Sequence, residues 1–137
     1  MAGRILIVDD DSGARECYGR LFRRHGYDPC LAANGSWVEI NREALRDVQA
    51  ILLDYRMPGM TGLELLRRLR RSGFKGPAFL ISAQVSDEMF LEAERLKICR
   101  IFHKPVESAV LLSSVAEAIT QFEERAKRPD RGANALI

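Results

Sequence analysis

Three carboxylates, one hydroxyl and one ammonium each stand where an apolar run ends. Asp9 and Asp10 follow Ile5-Leu6-Ile7-Val8, and Asp54 follows Ile51-Leu52-Leu53. Ser82 follows Phe79-Leu80-Ile81, and Lys104-Pro105 follows Ile101-Phe102-His103. Apolar runs this short, separated by amphipathic stretches, have the pattern of buried parallel strands alternating with helices. Open sheets of that kind bind ligands outside the carboxyl ends of their strands. The acids, the hydroxyl and the ammonium are therefore expected in one crevice. That set of groups suits a divalent cation and a phosphoryl group.

The elements that must position these groups alternate five times between strand and helix. Strands are expected over residues 4–9, 28–32, 49–53, 77–81 and 98–103. Ser12 is placed to start a first helix that runs to His25, with Ala14, Cys17, Tyr18, Leu21 and Phe22 at helical spacing. Gly26 then stands where a helix end favours a left-handed residue. Further helices are expected over 36–46, 62–72, 86–96 and 107–125. The stretch 36–46 has an irregular stripe, with Asn41 in the gap, and Asn34-Gly35 ahead of it reads as a turn. In the third helix Leu63, Leu66 and Leu69 share a face, while Arg67, Arg68, Arg70 and Arg71 fall mostly outside it. The last helix carries Val110, Leu111, Val115, Ala118, Ile119 and Phe122 in one stripe. Right-handed crossovers between five such units give an α/β fold with a doubly wound, five-stranded parallel sheet. A closed barrel would need eight units.

A chain of 137 residues fits one domain and is long enough to bury a core without staples. Its hydrophobic fraction of 47%, charged fraction of 29% and net charge of +2 describe an ordinary globular protein. Nothing in that balance marks a binder of nucleic acid or of a membrane surface. Cys17, Cys30 and Cys99 are widely spaced and form no Cys-x-x-Cys pair. They are expected to be reduced thiols, two or three of them facing the core. No segment reaches the ~18 apolar residues of a membrane span, and Asp9 arrives too early for a signal peptide. A cytoplasmic protein is expected. Residues 125–137 are rich in charge, Pro and Gly and read as a polar tail or a truncated linker after a domain over 1–124.

The motifs Ile-Val-Asp9-Asp10-Asp11-Ser, Leu-Leu-Asp54-Tyr-Arg-Met-Pro58-Gly-Met-Thr-Gly62, Leu-Ile-Ser82-Ala83 and Phe-His-Lys104-Pro105 occur in order, each at a strand end. Together they resemble the receiver domain of the two-component response regulators, over residues 4 to about 124. The resemblance implies a flavodoxin-like (βα)5 fold and a signalling role rather than an enzymatic one. It implies that Asp54 is the phosphoacceptor, supplied by a sensor histidine kinase or a phosphotransfer protein. Mg²⁺ would then bind Asp10 and Asp54 directly, together with the Arg56 backbone carbonyl, and Asp9 through water. Lys104 would pair with a phosphoryl oxygen, Ser82 would donate a hydrogen bond to another, and the Lys104-Pro105 bond would be cis. The physics agrees with a need for metal. Each close like-charge pair costs about 4 kcal/mol at an effective dielectric of about 20, and a single ammonium offsets only part of that. Oxygen-only ligands beside a phosphate suit Mg²⁺.

Several residues depart from that family's usual pattern. Ile101 stands where a rotating aromatic is common, and Lys97-Ile98 replaces a small pair before the last strand. Arg56 and Gln84 occupy the positions that tune phosphate lifetime, and Ala83 leaves space beside the hydroxyl. A haloacid-dehalogenase-type phosphatase is the enzymatic alternative suggested by Asp9-Asp10-Asp11. Gly13 does not suit its first motif, and no second acidic pair follows late in the chain. A receiver-like docking module that is never phosphorylated is the other alternative. Neither a Walker loop nor a Gly-x-Gly-x-x-Gly motif is present. The chain is expected to act on a downstream protein or through an effector domain outside this sequence, as a monomer or weak dimer without direct nucleic-acid binding.

Overall fold

The computed structural model describes residues 3–128. Five strands form one parallel sheet in the order β2-β1-β3-β4-β5. The strands are β1 (Arg4–Val8), β2 (Asp28–Ala32), β3 (Val48–Asp54), β4 (Ala78–Ser82) and β5 (Arg100–His103). The helices are α1 (Ser12–Arg24), α2 (Gly35–Ile40), α3 (Gly62–Arg71), α4 (Asp87–Arg95) and α5 (Ser108–Lys127), with a short 3-10 helix at Arg42–Leu45.

Successive residues of a strand point to opposite faces of the sheet, so a strand covered on both faces must be apolar throughout. Leu6, Val8, Ile51, Leu53 and Leu80 pack under α3 and α4, against Leu63, Leu66, Leu69, Met89 and Ala93. Ile5, Ile7, Leu52, Phe79 and Ile81 pack on the other face, against Phe22 of α1 and Leu111, Val115 and Ile119 of α5. Burial of both faces leaves only the strand ends for polar residues.

Several sequence expectations need correction. β3 and β4 each run one residue further than expected, because Asp54 pairs with Ile81 and Ser82 with His103. Both candidate residues thus close a strand rather than follow it. The helix expected over 36–46 stops at Ile40, where the Asn41 side chain donates to the Trp37 carbonyl at 2.8 Å, and a 3-10 turn takes over. Asn34 is more than a turn residue: it caps α2 by accepting from the Trp37 backbone at 2.8 Å. Cys17 and Cys99 are exposed and only Cys30 is buried, because α1 turns Gly19 and Phe22, rather than Cys17, onto the sheet. Arg70 is not a solvated-face arginine. Its guanidinium donates to the carbonyls of Leu96 (3.0 Å), Phe74 (3.1 Å) and Gly76 (2.7 Å), tying α3 to the start of β4 and the end of α4. α5 continues to Lys127, past the expected end at 125, and residues 129–137 of the expected tail lie outside the described residues.

Three helices end in the same way. Gly26, Gly73 and Lys97 follow the ends of α1, α3 and α4 with φ of 87°, 106° and 59°. In each case the residue after it donates back across the last turn: Tyr27 to Phe22, Phe74 to Leu69 and Ile98 to Ala93, all at 3.0 Å. This is the Schellman arrangement, which favours glycine at the left-handed position. Lys97 occupies it with a side chain, at a strain of about 1 kcal/mol. Lys97→Gly is expected to raise unfolding stability by about 0.5–1 kcal/mol, the relief being partly offset by greater freedom of the unfolded chain. Denaturant unfolding checks this, and a destabilised variant would contradict it.

Candidate functional site

Asp9 leaves the end of β1 and is fixed by its backbone on two sides. Its N–H donates to the Ala32 carbonyl at 3.1 Å, and its carbonyl accepts from the Arg15 guanidinium at 2.8 Å. One carboxylate oxygen accepts from the Asp11 N–H at 3.0 Å. The other, Oδ2, is buried and has no hydrogen-bond partner among the described residues. Asp11 itself caps α1, accepting from the Ala14 N–H at 2.9 Å, so it faces away from this chemistry.

Asp54 is held at the end of β3 by strand pairing and by the turn that follows. The Tyr55 N–H donates to the Ile81 carbonyl, and the Gly62 N–H donates to the Tyr55 carbonyl, both at 2.9 Å. Gly62 must be glycine here, since a Cβ would lie 2.4 Å from the Asp54 carbonyl oxygen. The start of α3 is thereby drawn against the end of β3.

Lys104 follows β5. Its N–H donates to the Ser82 carbonyl at 2.8 Å, and the Lys104-Pro105 bond is cis. Its ammonium lies 2.9 Å from Asp54 Oδ1. Ser82 is buried, and its hydroxyl donates to the Gln84 carbonyl while accepting from the Gln84 N–H at 3.2 Å. Asp9, Asp10 and Asp54 each offer a carboxylate oxygen within 4.8 Å of the others. Asp9 and Asp54 are 2% and 6% exposed, whereas Asp10 is open to solvent.

The candidates at strand ends therefore meet, and those around the rim stand apart. Arg56, Ala83 and Gln84 are exposed beside the crevice. Ile101 is half-buried and packs toward the α3–α4 layer, whereas Phe102 goes to the opposite layer against Phe79. Two contributors were not singled out from sequence. Arg15 anchors the Asp9 backbone, and Tyr18 lies half-buried within the field of Lys104, Asp9 and Asp54. Their spacing from Asp11, one and two helical turns into α1, is the signal that points at them.

Burial and charge set the protonation of the site. Burial, aided by Asp54 and Asp10 and opposed by the Asp11 N–H and Lys104, pushes Asp9 up to about 6. Burial also raises Asp54, although the Lys104 hydrogen bond and charge pull the other way. Burial would lower Lys104, but the Asp54 bond and the charges of Asp54 and Asp9 outweigh it and raise the ammonium. Among the described residues, one ammonium paired against three clustered acids leaves the pocket short of positive charge.

Comparison with known proteins decides what this crevice belongs to. The family model for the response regulator receiver domain matches residues 5–116. The chain belongs to that family. It is a signalling domain of the two-component response regulators, serving phosphorelay signal transduction rather than acting as a classical enzyme. Among curated relatives, this receiver is 32% identical to the sensory/regulatory protein RpfC of Xanthomonas campestris, over 83% of this chain and 16% of that one. It is 29% identical to sporulation initiation phosphotransferase F of Bacillus subtilis, over 89% of this chain and 94% of the other. The receiver therefore spans a small part of one relative and nearly the whole of another. A CheY-like receiver domain protein of Methanospirillum hungatei has the same fold, with a TM-score of 0.82 and 24% identity, over 91% of this chain and 99% of that one. Receiver domains interact with histidine kinases or phosphotransfer proteins. Among the described residues no helix is long and apolar enough to cross a membrane.

The raised Asp9 carboxyl makes stability depend on pH. Between about 4 and 6 the folded receiver keeps a proton that the unfolded chain, with an ordinary value of 3.8, has released. Stability from this group is complete below the unfolded value and is lost as pH rises through about 6, on the order of 3 kcal/mol in all. Asp9→Asn keeps the acceptor for the Asp11 N–H and removes the charge. Without divalent cations it is expected to raise the melting temperature at pH 7, with the gain shrinking toward zero near pH 4. An equal gain at both pH values, or a loss at pH 7, would contradict the assignment.

Proposed function

We propose that Asp54 accepts a phosphoryl group from a phosphohistidine donor, and that the resulting change around β4 and β5 alters the surface offered to a downstream protein or effector domain. The Lys104 ammonium, 2.9 Å from Asp54 Oδ1 inside a crevice otherwise lined by carboxylates, supports this reading most directly. An Asp54 oxygen attacks phosphorus, and the bond from phosphorus to the donor imidazole nitrogen breaks. The electron pair leaves on that nitrogen, which regains a proton. Lys104 then exchanges its contact with Asp54 for one with a phosphoryl oxygen. The Ser82 hydroxyl, donating to the Gln84 carbonyl in the free protein, turns to another phosphoryl oxygen and releases that carbonyl. Catalysis of this kind rests on positioning and charge neutralisation.

The donor set fits Mg²⁺. Three clustered carboxylates supply hard oxygen ligands, and the unpartnered Asp9 Oδ2 is a buried lone-pair site without a donor among the described residues. Asp10 and Asp54 would hold the ion directly, with the Arg56 carbonyl, and Asp9 would reach it through water. When bound, the ion supplies the positive charge that Lys104 alone cannot, for both the acceptor and the incoming phosphoryl group. A cytoplasmic setting with a histidine kinase or phosphotransfer protein as donor follows from the same reading.

The exposed Arg56 side chain stands two residues after the acceptor, where it can cover the acyl phosphate and screen it from water. Ile101 has few rotamers and no polar tip, so the released Gln84 carbonyl directs the change into residues 83–90 and α4.

Asp54→Asn is expected to take up no phosphoryl group from a small phosphodonor with Mg²⁺, as read by intact mass. Full labelling of that variant would overturn the acceptor assignment. Arg56→Ala is expected to shorten the phosphorylated half-life severalfold, measured by the decay of the labelled mass. A longer half-life would mean that Arg56 assists hydrolysis.

A further inference from the structure

At the end of the sheet opposite the acidic crevice, a groove of about 910 Å³ runs between the entries to β4 and β5 and the last turns of α5. Pro77, Ile98, Ala118 and Phe122 give it apolar walls, and Phe122 stays 38% exposed on a helix whose other stripe residues are better covered. Lys75, Lys97, Arg100 and Arg125 line the same groove. Its one acid, Glu117, is engaged by the Gln121 side-chain amide at 3.3 Å. Among the described residues, Lys75, Lys97 and Arg125 form no side-chain ion pair.

Two of these cations are set in place by the fold. Arg100 lies over the Phe102 ring at 4.9 Å and donates to Ser114 Oγ at 3.2 Å. Lys97 is held in its left-handed conformation by the Schellman bonds and by Arg70, which grips the preceding carbonyl of Leu96. The same helix ending is made with glycine at Gly26 and Gly73. A lysine in the third instance keeps a strained backbone and places an ammonium on the rim of the groove. That is a reason to look for a ligand rather than for stability.

We propose that this groove docks an acidic amphipathic segment of a partner protein, its apolar side chains against Ile98 and Phe122 and its carboxylates against Lys75, Lys97, Arg100 and Arg125. Arg70, the fifth cation of the lining, is taken up by backbone carbonyls; the other four against one engaged acid commit the occupant to negative charge. The apolar walls favour a peptide over a polynucleotide, whose backbone would use the cations and leave the walls uncovered. The groove lies away from Asp54, so docking does not need the phosphoryl site.

The test is fluorescence anisotropy of the intact chain with a labelled peptide of alternating glutamate and leucine, at low and moderate salt. Binding is expected, weakening with salt. The lysine-leucine counterpart is expected not to bind. Lys97→Gly is expected to melt higher than the parent yet bind roughly two- to fivefold more weakly. Lys75→Glu combined with Arg125→Glu should abolish binding, whereas Asp54→Asn should leave it unchanged. Lack of binding by the parent chain, or equal binding by Lys97→Gly, would overturn the proposal. So would equal affinity for single-stranded DNA, which would mark a general polyanion surface. Self-association that disappears in the double variant would overturn it too, by making a second copy the occupant.

Discussion

Everything around the crevice follows from one imbalance: three carboxylates share a pocket with a single ammonium. Among the described residues the Lys104–Asp54 ion pair is the one side-chain ion pair made by these acids. Burial works against it, since Asp9 and Asp54 are largely removed from water. A buried carboxylate without compensation neutralises itself or recruits a cation. The raised Asp9 carboxyl and its unpartnered oxygen are two expressions of the same shortage. The protein tolerates it because the strands bearing these groups belong to an extensive core packed on both faces of the sheet.

Backbone pairing, rather than side-chain packing, sets the position of the reactive groups. Parallel pairing of β3 with β4 and of β4 with β5 brings Asp54 beside Ile81 and Ser82 beside His103. The Lys104 N–H extends that pairing by one more bond, to the Ser82 carbonyl. The Asp54 carboxylate, the Ser82 hydroxyl and the Lys104 ammonium therefore sit on three adjacent strand ends of the sheet. Gly62 completes the arrangement by letting α3 close against the Asp54 carbonyl. In the turn after β4 the Ser82 hydroxyl is tied to both backbone groups of Gln84.

Much of this was legible in the sequence, because a strand buried on both faces can carry polar groups only at its ends. Asp9, Asp54, Ser82 and Lys104 were visible for that reason, as was the alternation of elements. The features that a sequence does not reveal depend on contacts between distant segments. That Arg70 serves backbone carbonyls in the loop before β4 and at the end of α4 cannot be read from a helical stripe. The rotation of α1 that leaves Cys17 exposed comes from the close packing of Gly19 against Leu31, a tertiary choice. The early end of α2 was hinted at by Asn41, but its side-chain bond to Trp37 was not. Lys97 stood out as an unusual residue before β5; only the backbone angle reveals that it does a glycine's work.

The central claim is that the acidic cluster is destabilised as built and is completed by a divalent cation. Thermal unfolding of the parent and of Asp10→Ala, each followed across a Mg²⁺ titration at pH 7, tests it most directly. Binding to the native state should raise the parent's melting temperature with ion concentration. Asp10→Ala should start higher without metal, through relief of like-charge repulsion, and should lose most of the rise. A parent indifferent to Mg²⁺, or a variant with an undiminished response, would contradict the account.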